Sequence, residues 1–282
     1  MFTLDRSLIG NQLLLNISAM TWNLAGIDVP NSLYPLFNSK SLEKVDILSI
    51  GVQECGIFKI NDWMKNFKRI LEYYEFKEIT TVNMFQMFLI VFIKKELYPL
   101  VDDITSDIKP MGFASILGNK GGMVISFNIA GFKFVFVNCH LAPKPHKVLE
   151  RNKHAKCLID NIRVGNKAAE FDTQADYLFW MGDMNYRVDY IYDQVLEEIS
   201  RNNLQFLLTK DQLIRQKQQN QIFTNFLEAE INFWPTYRRI KGTDSYSNKK
   251  NQSPSWCDRV LIKTERNIDI AYYDSIQEVN LR

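Results

Sequence analysis

Phe179-Trp180-Met181-Gly182-Asp183-Met184-Asn185-Tyr186-Arg187 breaks an apolar run with an acid, an amide and an arginine. Tyr177 to Met181 reads as a short, aromatic-rich buried strand, because nothing polar interrupts it before Gly182. The same abrupt ending recurs along the chain. Met20-Thr21-Trp22 ends in Asn23, and Leu48-Ser49-Ile50-Gly51-Val52 ends in Gln53-Glu54. Phe134-Val135-Phe136-Val137 ends in Asn138, with His140 close behind. Active sites are built on connections at one edge of a rigid sheet. If these strand ends converge, they gather two carboxylates, two or three amides and an imidazole.

Further apolar runs supply the rest of a strand-rich domain. Leu13, Leu15, Ile17 and Ala19 alternate into Thr21-Trp22-Asn23, and Val45 to Val52 and Phe85 to Ile93 are nearly continuous. Gly122 to Ala130 and Phe132 to Val137 flank a turn at Ala130-Gly131, and Val260 to Ile262 follows Asp258-Arg259. Helices are expected over 61–74, where Trp63, Phe67, Ile70, Leu71 and Tyr74 share a face below a cap at Asn61 or Asp62. They are also expected over 147–163 and 189–203, and in a polar stretch opened by Thr209-Lys210-Asp211. Residues 23–39, 108–122 and 238–255 read as loops. Two packed sheets with outer helices are the economical arrangement for so many short strands.

Composition sets bounds. The 282 residues carry 34 Lys plus Arg against 32 Asp plus Glu, a formal charge of +2, which excludes a broadly basic binder. The chain is long enough to bury a core without staples, and no apolar run is long enough to cross a membrane as a helix. Cys55, Cys139, Cys157 and Cys257 are scattered and form no CxxC pair, so reduced thiols in a cytoplasmic setting are the expectation.

Acid and amide oxygens with few histidines and no paired cysteine suit a hard cation such as Mg2+. One carboxylate could then hold the metal while the other serves an attacking water, a kit for phosphate ester hydrolysis. Taken singly, each residue also has an ordinary reading. Glu54 reads as a surface acid, Asp183 as a turn former and His140 as a core histidine. Gly118-Asn119-Lys120-Gly121-Gly122 is neither a P-loop nor a dinucleotide fingerprint; it reads as a tight hairpin turn or as a turn presenting Lys120 to an anion.

The ordered set Thr21-Trp22-Asn23, Gly51-Val52-Gln53-Glu54, Gly118 to Gly122, Asn138-Cys139-His140-Leu141, Arg151-Asn152, Trp180 to Arg187, Pro235-Thr236-Tyr237 and Pro254-Ser255-Trp256-Cys257-Asp258-Arg259 resembles the catalytic domain of the inositol polyphosphate 5-phosphatases. These belong to the wider DNase I-like group of endonucleases, exonucleases and phosphatases. The resemblance spans nearly the whole chain and implies an α+β fold, a four-layer αββα sandwich of two mixed sheets. It implies Mg2+-dependent removal of the 5-phosphate from phosphoinositides or soluble inositol polyphosphates. By the same resemblance Glu54 and Asn23 hold the metal, Asp183 activates water, Asn185 orients it, His140 bonds the scissile phosphate and Asp258 orients a second histidine. Substrate binding is assigned to Lys120, Arg151, Asn152, Tyr186, Arg187, Arg238, Lys250 and Arg259.

This sequence departs from the family pattern at three places. Arg238 stands for a lysine, Gln252 for an arginine, and Lys144 for a histidine or glycine. The loop 112–118, with Phe113, Ile116 and Leu117, is a candidate for peripheral membrane contact. A monomer without nucleic-acid partners is expected. The sequence stops at Arg282 without the family's Ser-Asp-His segment, so 1–282 reads as a single domain lacking its C-terminal end. Two alternatives follow: a catalytically impaired phosphoinositide- or protein-binding domain, and a nuclease or phosphodiesterase of the same superfamily.

Overall fold

The computed structural model describes residues 2–4, 14–30, 32–37, 42–111, 119–240, 243, 245–249 and 252–276. Among these described residues, eleven strands build two sheets. The first comprises β1 (Phe2–Leu4), β2 (Leu15–Asn23), β3 (Ile47–Gln53), β4 (Phe76–Met84), β5 (Met87–Lys94) and β11 (Ile268–Ile270), in the order β11-β1-β2-β3-β5-β4. The second comprises β6 (Val101–Met111), β7 (Lys120–Ile129), β8 (Phe132–His140), β9 (Tyr177–Asp183) and β10 (Asp258–Thr264), in the order β10-β9-β8-β7-β6. Among the described strands, β2–β3 and β8–β9 run parallel and the other pairs are antiparallel.

Strands β3 and β9 are buried along their whole length, which explains their continuous apolar reading. The inner faces of the two sheets meet in a core that includes Ile17, Leu89, Ile125, Phe136, Phe179 and Ile262. Aromatic rings stack through it, with Phe136 and Phe179 centroids 5.1 Å apart and Phe134 and Tyr177 5.2 Å apart. On the outer face of the first sheet lies α1 (Ile60–Tyr73), whose Trp63, Phe67, Ile70 and Leu71 pack on Val52, Phe88 and Phe92. Each of those four side chains contributes at most about 1.5–3 kcal/mol by burial. On the outer face of the second sheet, α2 (Val148–Asn161) seats Ala155 and Leu158 against Val135, Val137 and Trp180. The result is the α+β four-layer αββα sandwich.

Several expectations are corrected in detail. Asn61 and Asp62 lie inside the first turn of α1, which follows Lys59 without a side-chain cap. The helix expected over 189–203 is α4 (Tyr192–Ser200), and a separate α5 (Leu204–Leu208) follows the short α3 (Phe171–Gln174) and α4 in chain order. Asp211 caps α6 (Gln212–Gln218) by accepting the Ile214 N–H at 2.9 Å. Residues 108–111 and 120–122 are strand, not loop: Lys109 pairs with Gly122 and Met111 with Lys120. Gly121 is required there, since a Cβ would lie 2.3 Å from the Lys109 carbonyl at a φ of +141°. The strands β4 and β6 were not expected, because both are polar edge strands; β6 carries Asp102, Asp103, Asp107 and Pro110. The loop with Phe113, Ile116 and Leu117 lies outside the described residues.

Candidate active site

Strand register brings the polar ends together. In the parallel pair β2–β3, Asn23 lies opposite Gln53, so Glu54 is the next residue out. In the parallel pair β8–β9, His140 lies opposite Asp183, and the antiparallel β10 sets Asp258 opposite Asp183 from the other side. Packing of the sheets then closes the cluster. The Asn23 amide donates to Asp183 Oδ2 at 2.9 Å, and His140 Nε2 lies 3.3 Å from that oxygen and 3.8 Å from Glu54 Oε1. Beneath them, Gln53 donates to Asn138 Oδ1 at 2.6 Å, while the Asn138 amide donates to the Val52 and Phe88 carbonyls at 3.1 and 2.8 Å. This fully buried amide bridge ties β8 to β3 and β5 and fixes the height of the cluster. Sequence reasoning gave Gln53 and Asn138 no site role; their polar character inside apolar runs was the available signal.

The backbone at the site adopts unusual conformations. Glu54 and Asn185 have φ of 51° and 57°, left-handed values that cost energy for residues with a side chain and cluster at functional sites. A Cβ on Gly182 would sit 2.1 Å from the Cys139 carbonyl, so only glycine permits this approach of β9 to β8. Past Gly182 the chain turns sharply. Asn185 N–H donates to Asp183 Oδ1 at 3.0 Å, and the Asn185 amide donates to the Leu141 carbonyl at 3.2 Å. Arg187 braces the turn, donating to Asn185 Oδ1 at 2.5 Å and to the Asn185 carbonyl at 3.1 Å.

Two buried carboxyls are driven in opposite directions. Burial alone would raise Asp183, but the charge and hydrogen bond of His140, the Arg187 charge and the Asn23 hydrogen bond outweigh it and hold its pKa below the ordinary value. Burial first, then the neighbouring Asp183 charge, pushes Asp258 up to about 7, despite a 2.7 Å hydrogen bond from Thr236 Oγ1 to its Oδ2. Asp258 Oδ1 is buried with no hydrogen-bond partner among the described residues. Burial also lowers the Lys120 pKa, against the pull of Asp183 and Glu54. Lys120 Nζ lies 3.4 Å from His140 Nδ1.

The donor set fits a hard cation. Among the described residues, no three His, Cys, Asp or Glu side chains form an all-protein metal cage. Glu54 instead presents a part-exposed carboxylate, and the Asn23 Oδ1, which among the described residues accepts the Ala25 N–H at 3.0 Å, has a second lone pair. One carboxylate and one amide oxygen leave coordination positions for water and phosphate oxygens, as Mg2+ prefers.

Residues 20–281 match the Endonuclease/Exonuclease/phosphatase family 2. The chain belongs to this endonuclease/exonuclease/phosphatase family. The family member is 31% identical over 275 residues to phosphatidylinositol 3,4,5-trisphosphate 5-phosphatase 2A of Danio rerio, covering 89% of this chain and 22% of that protein. It thus spans about a fifth of the length of the curated relatives it matches. Among solved structures, it resembles the inositol polyphosphate 5-phosphatase domain of a synaptojanin in complex with inositol (1,4)-bisphosphate and calcium. That match has a TM-score of 0.80 and 27% identity over 89% of this chain and 76% of that one. A Cimex nitrophorin in its ferrous NO complex shares the fold, with a TM-score of 0.72 at 24% identity over 89% of this chain and 87% of that one. The fold alone therefore carries no chemistry, and the strand-end residues must.

The substrate-binding residues expected in this family member divide sharply. Lys120 and Arg187 belong to the cluster. Arg187 also stacks over the Tyr237 ring at 4.0 Å and donates to Gln252 Oε1 at 3.3 Å. It helps line a cleft of about 440 Å³, with Asp189, Tyr190, Gln194, Gln252 and Ser253. Arg238 is exposed next to Tyr237. Arg151, Tyr186 and Arg259 are corrections: all three are fully buried. Arg151 is spent on the Ala142, Lys144 and Pro145 carbonyls and on Gln212, and Arg259 on Asp211 and Glu228. Tyr186 donates to Asn152 Oδ1 at 2.7 Å, and Asn152 donates in turn to Gln216. These four side chains hold the scaffold beneath the site. Lys250 lies outside the described residues. Thr236 and Gln252 were missed because their partners are 22 and 65 residues away.

Proposed function

We propose that this chain hydrolyses the 5-phosphate of phosphoinositides or soluble inositol polyphosphates with Mg2+. The observation that carries the reading is the cluster of Asp183, His140, Asn23 and Glu54 at one sheet edge, with Arg187 bracing Asn185 beside it. The names of the relatives supply the substrate class, and the donor set of Glu54 and Asn23 supplies the metal. Mg2+ held there would polarise a phosphoryl oxygen and neutralise charge developing on it.

The chain's own residues account for the rest. Asp183 is ionised at neutral pH, so it accepts a hydrogen bond from the attacking water and takes its proton as the new phosphorus–oxygen bond forms and the bond from phosphorus to the inositol 5-oxygen breaks, the departing oxygen taking a proton from solvent water. Asn185, fixed by Leu141 and Arg187, orients that water. His140 Nε2–H turns from Asp183 Oδ2 to donate to a phosphoryl oxygen when substrate is bound. Arg187 and Lys120 supply positive charge for an anionic ring. The carboxyl of Asp258 modulates Asp183 from the opposite strand.

The test is phosphate release in the presence and absence of Mg2+, with an inositol trisphosphate bearing a 5-phosphate compared with abasic DNA. Release from the inositol substrate, abolished by chelation, is expected. Cleavage of DNA with no release from inositol would transfer the site to nuclease chemistry.

A further inference from the structure

Gln212 begins α6 and is 3% exposed, yet its side chain makes every hydrogen bond of which an amide is capable. Its Oε1 accepts the Arg187 N–H at 2.9 Å and Arg151 Nη2 at 2.5 Å. Its Nε2 donates to the Pro145 carbonyl at 3.1 Å and to Asp189 Oδ1 at 2.5 Å. These partners fix one orientation, because a flipped amide would set its N–H groups against two donors. The Gln212 N–H also donates to the Arg187 carbonyl at 2.8 Å. Both polar groups of the Arg187 backbone are therefore answered by one residue, 25 positions further along the chain.

The partners belong to the segments that leave the two strands of the cluster. Past His140, the end of β8, the Ala142, Lys144 and Pro145 carbonyls all accept from Arg151, which Gln212 holds in turn. Past Asp183, the end of β9, Arg187 grips the side-chain and backbone oxygens of Asn185. Pro145, Arg187 and Asp189 line the cleft beside the cluster, and Gln212 is buried behind that lining. Removing an interior amide whose bonds are all made leaves its buried partners unanswered, and each must then shift to find another.

We propose that Gln212 is a positioning residue of the site. Its carbonyl oxygen sets the Arg187 backbone and, through the Arg187 side chain, the water-orienting Asn185. Its amino group holds together two residues of the cleft wall, Pro145 and Asp189. The two ends of one amide thus serve two properties, the oxygen end the rate and the nitrogen end the fit of an anionic ring. The inference rests on the phosphatase reading for the identity of the reaction; the positioning itself is measurable without turnover.

The experiment compares Q212M and Q212E with the parent chain in two ways: amide hydrogen exchange, and steady-state phosphate release from a soluble inositol trisphosphate with Mg2+, with kcat referred to folded protein. Methionine fills a similar volume but makes none of the amide's bonds. Q212M should speed exchange of the Arg187 N–H about tenfold relative to the N–H groups of β9. It should also lower kcat about tenfold. Glutamate keeps the acceptor end and loses the donors. Q212E should leave Arg187 exchange near that of the parent and lower kcat less than about threefold, while raising KM about tenfold because Asp189 faces a like charge. That KM should recover as pH falls, since protonation of the introduced carboxyl restores a donor to Asp189. Unchanged Arg187 exchange in Q212M, or parental kcat and KM in both folded variants, would overturn the proposal and leave Gln212 a purely structural amide. If Q212M does not fold, Q212E decides: raised KM with near-parental kcat supports the assignment, and an equal loss in both overturns it. Absence of phosphate release from the parent, with the expected exchange changes intact, would sink the phosphatase reading alone.

Discussion

His140 Nε2 approaches Asp183 Oδ2 to 3.3 Å, and that same oxygen accepts the Asn23 amide at 2.9 Å. The donors come from different sheets: His140 ends β8, beside Asp183 itself, whereas Asn23 ends β2 in the facing sheet. One carboxylate oxygen therefore reports whether the two sheets are packed in register. The buried Gln53–Asn138 bridge below holds that packing.

Replacing Asp183 by asparagine tests this oxygen directly. The amide accepts at only one end, so it places a donor either against both Asn23 and His140 at the Oδ2 position or against the Asn185 N–H at the Oδ1 position, and it cannot take a proton from water. D183N should lose about 10²–10⁴-fold in the rate of phosphate release. Far-ultraviolet circular dichroism should remain that of the parent, and retained turnover would remove Asp183 from its role.

Asp258 predicts a pH dependence of stability. In the unfolded chain its carboxyl titrates near 3.8, and in the fold near 7, chiefly because it is buried and then because Asp183 faces it. Between those values the folded state holds a proton that the unfolded state has released, so stability falls as pH rises through this window. Asp183 is shifted in the opposite sense, so its contribution is present above its ordinary value of 3.8 and is lost as pH falls from there through its lowered folded value. D258N removes the buried charge and should raise the thermal midpoint at pH 8 while flattening the slope between about pH 4 and 7. Midpoints measured across that range decide it; an unchanged slope would show that Asp258 is not the titrating group.

Much of the fold and of the central cluster was legible in the sequence for a simple reason. Asn23, Glu54, His140, Asp183 and Asn185 each interrupt or follow a run that otherwise has to be buried. Such a change of polarity at a strand end is visible without tertiary knowledge. The edge strands β4 and β6 were not legible, because one side of an edge faces water and its residues are polar. The exposure of long basic side chains was also illegible. Arg259 stands next to Asp258 in the sequence, but its acceptors Asp211 and Glu228 lie 48 and 31 residues away. Only the folded chain shows that its charge is already answered.

Arg259 should accordingly behave as a structural cation. Its guanidinium is enclosed with Asp211, held by two contacts of 3.1 Å, and Glu228, held at 2.6 and 2.7 Å. R259M would leave both acids buried and unpaired, with an expected loss of about 3–5 kcal/mol in urea unfolding. R238A, at an exposed position, should change stability by less than about 0.5 kcal/mol. Equal stability of R259M and the parent would contradict the buried pair.

Arg187 is the cation for which geometry matters more than charge. Its Nε and Nη2 take the carbonyl and side-chain oxygens of Asn185, its Nη1 takes Gln252, and its face lies 4.0 Å from the Tyr237 ring. A lysine keeps the positive charge but carries its three donors on one nitrogen and has no planar face, so it cannot hold Asn185 and stack on Tyr237 together. Asn185 would then lose its brace at a backbone conformation that already costs energy, and the water it orients would lose its position. R187K should therefore lower kcat more than it raises KM, with kcat/KM falling about 10–100-fold, the value of one or two charge-assisted hydrogen bonds. If Arg187 acted only as a point charge for a remote phosphate, R187K would leave kcat intact and change KM alone. Steady-state kinetics on a soluble inositol trisphosphate separates the two outcomes.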